Sequence, residues 1–383
     1  MVFSNIYQGE IMGKKKSGKK KKPAVYFADI AVDALEPSKT LPAKFKRILK
    51  RLKLEERVMD KRVAIKMHLG GNIGFTTIHP VFVRILVQEL KDAGAKSIKV
   101  MDGDAESGVA RGYTREVLGC PVVSTFGNAG KYHYKHKIGF KNLDYALFSG
   151  EAVDCDFFID LSHVKGHGDC GFGGAIKNIA MGVVPSETRF KIHSLEGGIE
   201  YDPEKCTYCL KCFKACPNDA IKLKKKDKKI WIFFHNCTYC QHCEMVCPTG
   251  AIRMENRRFE DFSKGMAKVT AAFLKKFDPK NLLFINVLMD ITIYCDCWGM
   301  STPSLVPDIG ILASDDIAAI ETASLDMIKT ENLLTNGLPK GKDLLEGDGH
   351  LFERIHAKDP YLMIRYLEKM YDCRSDYRIQ EIK

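Results

Sequence analysis

The sequence predicts an α/β fold, a mainly parallel sheet with helices on both faces, interrupted by a smaller inserted α+β unit. Three observations predict it. Short apolar runs alternate with stretches of helical periodicity from residue 24 onward, and strands alternating with helices build parallel sheets covered on both sides. The same alternation resumes after residue 258. Between the two stretches stands a cysteine motif written twice, its copies 31 residues apart.

Residues 24–30 read as a strand, after which Phe45, Ile48, Leu49 and Leu52 fall on one face of a lysine-rich helix. Residues 63–67 are the next strand. His79-Pro80 opens a second helix with proline in its first turn, carrying Val83, Leu86, Val87 and Leu90 inward until Gly94 stops it. Residues 97–101 make a third strand. Beyond the cysteines come a helix near 259–277 and strands at 282–287 and 309–312. Ser314 is expected to cap a helix bearing Ile317, Ile320, Ser324 and Ile328, with Asp315 and Asp316 suiting its dipole. Asp359-Pro360 starts the last helix, with Met363, Tyr366, Leu367 and Met370 on its apolar face.

The repeat reads Cys206-Thr-Tyr-Cys209-Leu-Lys-Cys212-Phe-Lys-Ala-Cys216-Pro217, then Cys237-Thr-Tyr-Cys240-Gln-His-Cys243-Glu-Met-Val-Cys247-Pro248. Three cysteines two residues apart curl one loop around a cubane, and a fourth after a three-residue gap reaches toward a second cluster. By the crossed ligation of two-cluster ferredoxins, Cys206, Cys209, Cys212 and Cys247 hold one [4Fe-4S] cluster. Cys237, Cys240, Cys243 and Cys216 hold the other. Structural zinc wants two ligand pairs set apart, and a third cysteine crowded into one loop has no tetrahedral use. The spacing therefore predicts a ferredoxin-like two-[4Fe-4S] domain at 198–257. It is expected to interrupt a discontinuous α/β domain of residues 24–197 plus 258–383. Cysteines clustered by twos and threes behind no secretory leader point to a reducing compartment, the cytoplasm, and to anaerobic metabolism.

At 383 residues, 45% hydrophobic and 28% charged, the chain has ample material for a large core beyond the insert. No apolar stretch approaches the roughly 20 residues a bilayer span needs; residues 282–294 are interrupted by Asn286 and Asp290 and read as buried strand. The formal net charge of +11 is partly local, since seven lysines crowd positions 14–22. Residues 1–23 are expected to be a disordered lysine-rich tail, with Met12 an alternative start to Met1. Such a tail could touch nucleic acid, but no aromatic platform accompanies the lysines, so nucleic acid is disfavoured.

Ligands of parallel sheets gather at the carboxyl ends of strands. Polar residues follow apolar runs at His68-Leu-Gly70-Gly71-Asn72, at Asp102-Gly103-Asp104, after Asp160-Leu161, and between Asp290 and Cys297. The third place is the richest: His163, Lys165, His167, Lys177 and Asn178 lie beside the glycines 171, 173 and 174. A glycine-rich turn lets backbone amides approach a carboxylate or phosphate, with Lys165 or Lys177 as counter-charge, and His163 or His167 could exchange a proton. Cys295-Asp-Cys297 lets two thiolates share one soft metal, a candidate third metal site that Cys170 or a histidine could complete. No motif argues for a flavin, or against one.

The stretches His163-x-Lys165-x-His167, Gly171-Phe-Gly-Gly-Ala-Ile-Lys177-Asn178, Cys295-Asp-Cys297 and Asp308-Ile-Gly-Ile-Leu-Ala-Ser314-Asp315 resemble the domain of unknown function 362, a family of uncharacterised iron-sulfur-centre proteins. The resemblance covers nearly the whole chain after the tail, departing from the family's pattern at Cys170 and Asp316. It implies one α/β unit with an inserted ferredoxin, and no known substrate. The expected function is an iron-sulfur oxidoreductase in which low-potential electrons pass from two clusters to a substrate or cofactor held by the α/β domain. The alternative is an electron-transfer or maturation partner that docks another protein and has no substrate chemistry of its own. The second lysine run, at 222–229, could steer such a redox partner. The oligomeric state has no signature in the sequence.

Overall fold

The computed structural model describes residues 21–383 except 72–73, 104, 197–198, 217–218, 238–241, 255–258, 300 and 341. Its frame is one eight-stranded sheet: β1 (Ala24–Asp29), β2 (Arg62–Lys66), β3 (Ser97–Asp102), β4 (Val122–Ser124), β5 (Phe157–His163), β6 (Leu282–Leu288), β7 (Gly310–Ser314) and β8 (Arg378–Glu381). Across the sheet the order is β8-β1-β7-β6-β5-β2-β3-β4. All neighbours pair in parallel except where β7 meets β1 and β6, so β7 alone of the eight runs backwards.

Both faces of the sheet are covered, which is why the central strands read as continuous apolar runs. On one face, Val63, Ile65, Ile159 and Ile285 join a core with Phe45, Ile48, Val83 and Leu86, residues of the helices α1 (Leu41–Arg51) and α2 (Pro80–Asp92). On the other, Ala64, Phe158, Phe284 and Leu312 pack with residues of α3 (Ala175–Gly182), α4 (Phe259–Leu274), α5 (Ile317–Met327) and α6 (Leu362–Glu368). The alternation of side chains along each strand divides the two cores. Strands from before and after the cysteine-rich segment meet in the sheet where β5 pairs with β6.

The elements expected from periodicity are present, with two corrections. Ser314 does not cap α5; it ends β7, where its hydroxyl donates to Ala24 O (2.8 Å) and accepts the Asp316 N–H (3.2 Å). The cap is Asp316, whose carboxylate accepts the N–H groups of Ala318 and Ala319. The last helix begins at Leu362 rather than at Asp359-Pro360, because Asp359 turns back to accept the Tyr361 N–H (2.9 Å). The hairpin His133–Phe140/Leu143–Ser149 was not expected. Its first strand alternates lysines and histidines with few apolar residues and so carries no clear strand signal.

The cysteine-rich segment folds on itself. Ile199–Tyr201 pairs antiparallel with Ile252–Met254, and Ile221–Lys224 with Lys229–Ile232. Ile199, Ile221, Ile230 and Ile252 form a separate small core with Cys212, Cys237 and Cys243. The lysine run 222–229 is the exposed hairpin of this unit. Most of the lysine-rich tail, the loop residues Asn72 and Asp104, and the expected junctions at Gly197-Gly198 and Arg257-Arg258 lie outside the described residues. Among the described residues no helix is long and apolar enough to cross a membrane.

Gly310 shows how tightly β7 is inserted. Its φ is +147°, and a Cβ there would lie 2.0 Å from Ala28 O across the sheet. A backbone atom fixed in a ladder cannot yield, so Gly310→Ala should cost about 1–3 kcal/mol, read as a lower urea midpoint. An unchanged midpoint would contradict this placement of β7 between β1 and β6.

Candidate functional site

The carboxyl ends of β2, β3 and β5 open on a cavity of about 540 Å3. Its walls bring together residues far apart in sequence: Lys66, Asp102, His163, Lys177, Asn178 and the Cys295–Cys297 turn. Of the residues singled out above, His163, His167, Lys177, Asn178, Cys295 and Cys297 line it.

One wall is a polar network between strand ends. Lys66 Nζ, 1% exposed, donates to Asp102 Oδ1, Asn178 Oδ1 and Met67 O, each at 2.9 Å. Asp102 also faces His68 Nδ1 (2.8 Å) and accepts the Leu69 N–H (2.9 Å). Burial opposes its ionisation, but the charges of Lys66 and His68 prevail and hold its carboxyl far below the usual range. The Asn178 amide spans the gap, its Nδ2 donating to Asp160 Oδ2 at 2.9 Å. Asn178 thus acts as a strut that fixes the ends of β2 and β5. Asp160, at 0% exposure, is pushed well above the usual carboxylate range by burial.

The second wall is built around Asp296. Lys165 Nζ donates to Asp296 Oδ1 (2.6 Å), Thr76 O (2.7 Å) and Thr76 Oγ1 (2.9 Å). His163 faces Asp296 Oδ2 through Nδ1 (2.9 Å) and Met289 O through Nε2 (2.6 Å). Burial works against the Asp296 carboxylate, yet His163 and Lys165 hold its pKa far below the ordinary value. Lys165 and His163 therefore lock the Cys295–Cys297 turn to β5, and Lys165 is not a counter-charge offered to a ligand.

The glycine-rich turn is also already occupied. Glu321, buried on α5, accepts the N–H groups of Ala175 (2.8 Å) and Ile176 (3.3 Å) at the start of α3, and Asn286 Nδ2 (3.0 Å). A Cβ at position 174 would lie 2.3 Å from Glu321 Oε1, so glycine there admits the carboxylate. Burial raises the Glu321 pKa to about 7. The expected cradle for an anionic ligand is thus filled by the protein itself. Of the two lysines expected as counter-charge, Lys177 is the one that lines the cavity, its Nζ 3.2 Å from Cys295 Sγ and 3.5 Å from Cys297 Sγ. Burial lowers its pKa. Since Asp102 and Asp296 carry their own cations, Lys177 and Arg189 leave the pocket with surplus positive charge.

Cys295 and Cys297 are joined as a disulfide. His167 stands beside them, the donors of the three residues lying within 4.8 Å of one another. Its Nδ1 accepts the Asp169 N–H (3.2 Å) and meets Cys170 Sγ (3.3 Å). With the pair reduced, this set could hold a soft metal; joined, the sulfurs are not thiolate ligands. Cys170 supports His167 from behind instead of completing the set. Asp169, His193 and Glu196 form a second set with donors within 4.8 Å. Two carboxylates and an imidazole suit a harder divalent ion.

In the cysteine-rich unit, Cys206, Cys209, Cys212 and Cys247 line one small pocket. Left-handed backbone at Tyr208 and Leu210 winds the first loop around it. Tyr208 N–H points to Cys206 Sγ (3.4 Å) and Ala220 N–H to Cys216 Sγ (3.1 Å). Burial opposes ionisation of Cys247, but the N–H groups of Ile252, Thr249 and Ala251 outweigh it and lower its pKa. Cys240 lies outside the described residues.

The unit abuts the pocket wall. Tyr294 and Trp298, flanking the Cys295–Cys297 turn, stack with ring centroids 4.3 Å apart, and Phe233 meets Trp298 edge-on at 5.3 Å. Tyr294 OH donates to Asn236 Oδ1 (3.0 Å), next to Cys237, whose carbonyl accepts from Lys358. Burial brings the Lys358 pKa down to about 8. Sequence reasoning missed Lys66, Glu321, Arg189 and His193. Lys66 is the one charge in the apolar run 63–67, and Glu321 interrupts the apolar run of α5; those interruptions were the available signals.

No curated protein matches the chain. Among solved structures, the lactate racemase apoprotein from Thermoanaerobacterium thermosaccharolyticum is 13% identical with a TM-score of 0.31, the match covering 64% of this chain and 49% of that one. A protein from Thermotoga maritima is 12% identical with a TM-score of 0.35, covering 66% and 52%. The match thus spans about half the length of either structure. The profile of a domain of unknown function, DUF362, matches residues 63–326. This chain belongs to the DUF362 family.

Proposed function

We propose that the protein is an iron-sulfur oxidoreductase in which low-potential electrons pass from two [4Fe-4S] clusters to a small anionic substrate or cofactor in the basic pocket. Cys206, Cys209, Cys212 and Cys247 would hold one cluster, and Cys237, Cys240, Cys243 and Cys216 the other. The grouping of the first four around one pocket and the N–H groups aimed at Cys206, Cys216 and Cys247 fit that assignment. When bound, such clusters supply single electrons at low potential. On this reading residues 198–257 are an inserted ferredoxin-like domain, and the protein works in a reducing compartment, the cytoplasm.

The observation that carries the proposal is shared ground: the turn that walls the pocket, Tyr294 to Trp298, is also in contact with Phe233 and Asn236, which lead into the second cysteine loop. Electrons and substrate meet there. Lys177 and Arg189 attract and orient the anion, His167 on the pocket wall exchanges a proton, and Asn178, Lys165 and His163 keep the walls in register.

The test is oxidation of reduced methyl viologen by a panel of small anionic oxidants under anaerobic conditions. Lys177→Ala should lower turnover on the order of 10²-fold, the scale of a lost charge-stabilising donor, with iron content unchanged. Full turnover in Lys177→Ala with every acceptor the wild type reduces would move the chemistry out of the pocket and favour a carrier that docks another protein.

A further inference from the structure

We propose that Cys295 and Cys297 are a redox-active disulfide/dithiol pair that collects two electrons from the cysteine-rich unit and passes them by thiol–disulfide exchange to a small anionic disulfide in the pocket. The inference rests on the reading that this unit carries [4Fe-4S] clusters, and it gives the electrons a destination.

Three features carry it. The pair lies on the wall of the cavity, with Cys297 exposed and Cys295 buried at 6% exposure. That asymmetry suits one attacking and one resolving sulfur. Lys177 Nζ stands by both sulfurs, at 3.2 and 3.5 Å. Finally, the turn bearing the pair touches the stretch that leads into Cys237, through Phe233 against Trp298 and through Tyr294 bonded to Asn236. A route for electrons thus ends one residue from each sulfur.

The pair also resolves a mismatch of number. Clusters of this kind deliver electrons singly, whereas a disulfide is a two-electron couple. The first electron places negative charge on sulfur beside the Lys177 ammonium, which stabilises it. The second completes cleavage of the Cys295–Cys297 bond, and two protons from pocket water leave two thiols. In the outward half, Cys297 Sγ, as thiolate, attacks one sulfur of the bound disulfide and expels the first thiolate. Cys295 Sγ then attacks Cys297 Sγ in the mixed disulfide, expels the second thiolate and re-forms the intramolecular bond. The two electrons end on the two released thiols, with two protons, and the surplus charge of Lys177 and Arg189 selects a disulfide bearing carboxylates.

The experiment uses anaerobically purified protein treated with methyl viologen radical, alkylated with iodoacetamide and read by peptide mass, with EPR of the same samples. Both Cys295 and Cys297 should become alkylated in step with oxidation of the dye. Trp298→Leu should slow that alkylation with iron content unchanged, and oxidised glutathione should restore the disulfide. In Cys297→Ser the reduced-cluster EPR signal should persist where the wild type drains it. A full EPR signal with the 295–297 peptide still disulfide-bonded, or recovered with a metal on both sulfurs, overturns the relay while the iron-sulfur reading stands. Absence of any cluster signal overturns the reading and the relay together.

Discussion

Asp296→Ala is expected to destabilise the protein by about 3–5 kcal/mol, the cost of leaving a buried partner charge uncompensated. The carboxylate is 8% exposed and answers both Lys165 at 2.6 Å and His163 at 2.9 Å. Removing it strands a lysine that is 1% exposed and releases the Cys295–Cys297 turn from the end of β5. Lys165→Met with Asp296→Leu should recover much of the loss, since the penalty comes from the unpaired charge. The acid side has a definite sign. The folded-state pKa of Asp296 lies below its unfolded value of about 3.9, so its stabilisation is complete above that pH and is lost as the pH falls toward the folded value. Asp296→Asn should therefore show a shallower loss of stability in acid than the wild type. A single-variant cost under about 1 kcal/mol would mean the triad is solvated, as surface pairs are.

Replacing Cys206 or Cys247 by serine should remove the same cluster, although the two stand in different copies of the motif. Each variant is expected to keep about four irons and lose about four, with the same EPR component missing from both. Cys216→Ser and Cys237→Ser should remove the other component. The basis is the pocket shared by Cys206, Cys209, Cys212 and Cys247. If Cys206→Ser and Cys216→Ser lost the same component instead, each copy would hold its own cluster and the crossed assignment would be wrong.

Much of the framework was legible because it rests on local pattern. The apolar runs of β2, β5 and β6 and the periodic faces of α1 and α2 are set by burial on both sides of one sheet. The clustering of His163, His167, Lys177, Asn178 and the Cys295–Cys297 turn at one cavity also follows from position after strands. What each residue does there was not legible. Whether Lys165 serves a ligand or Asp296 depends on which side chain 131 positions away folds against it, and no local signal specifies that. The glycine-rich turn looked like an anion cradle because the carboxylate that fills it, Glu321, arrives from α5. Ser314 looked like a cap because spacing cannot tell the last residue of a strand from the first of a helix when pairing with β6 keeps it extended.

The presence of two clusters is tested by iron, acid-labile sulfide and zinc per chain in anaerobically purified protein, with EPR after reduction. Two cubanes give about eight irons, about eight sulfides and the spectrum of two reduced clusters. Stoichiometric zinc with neither iron nor sulfide would contradict their presence.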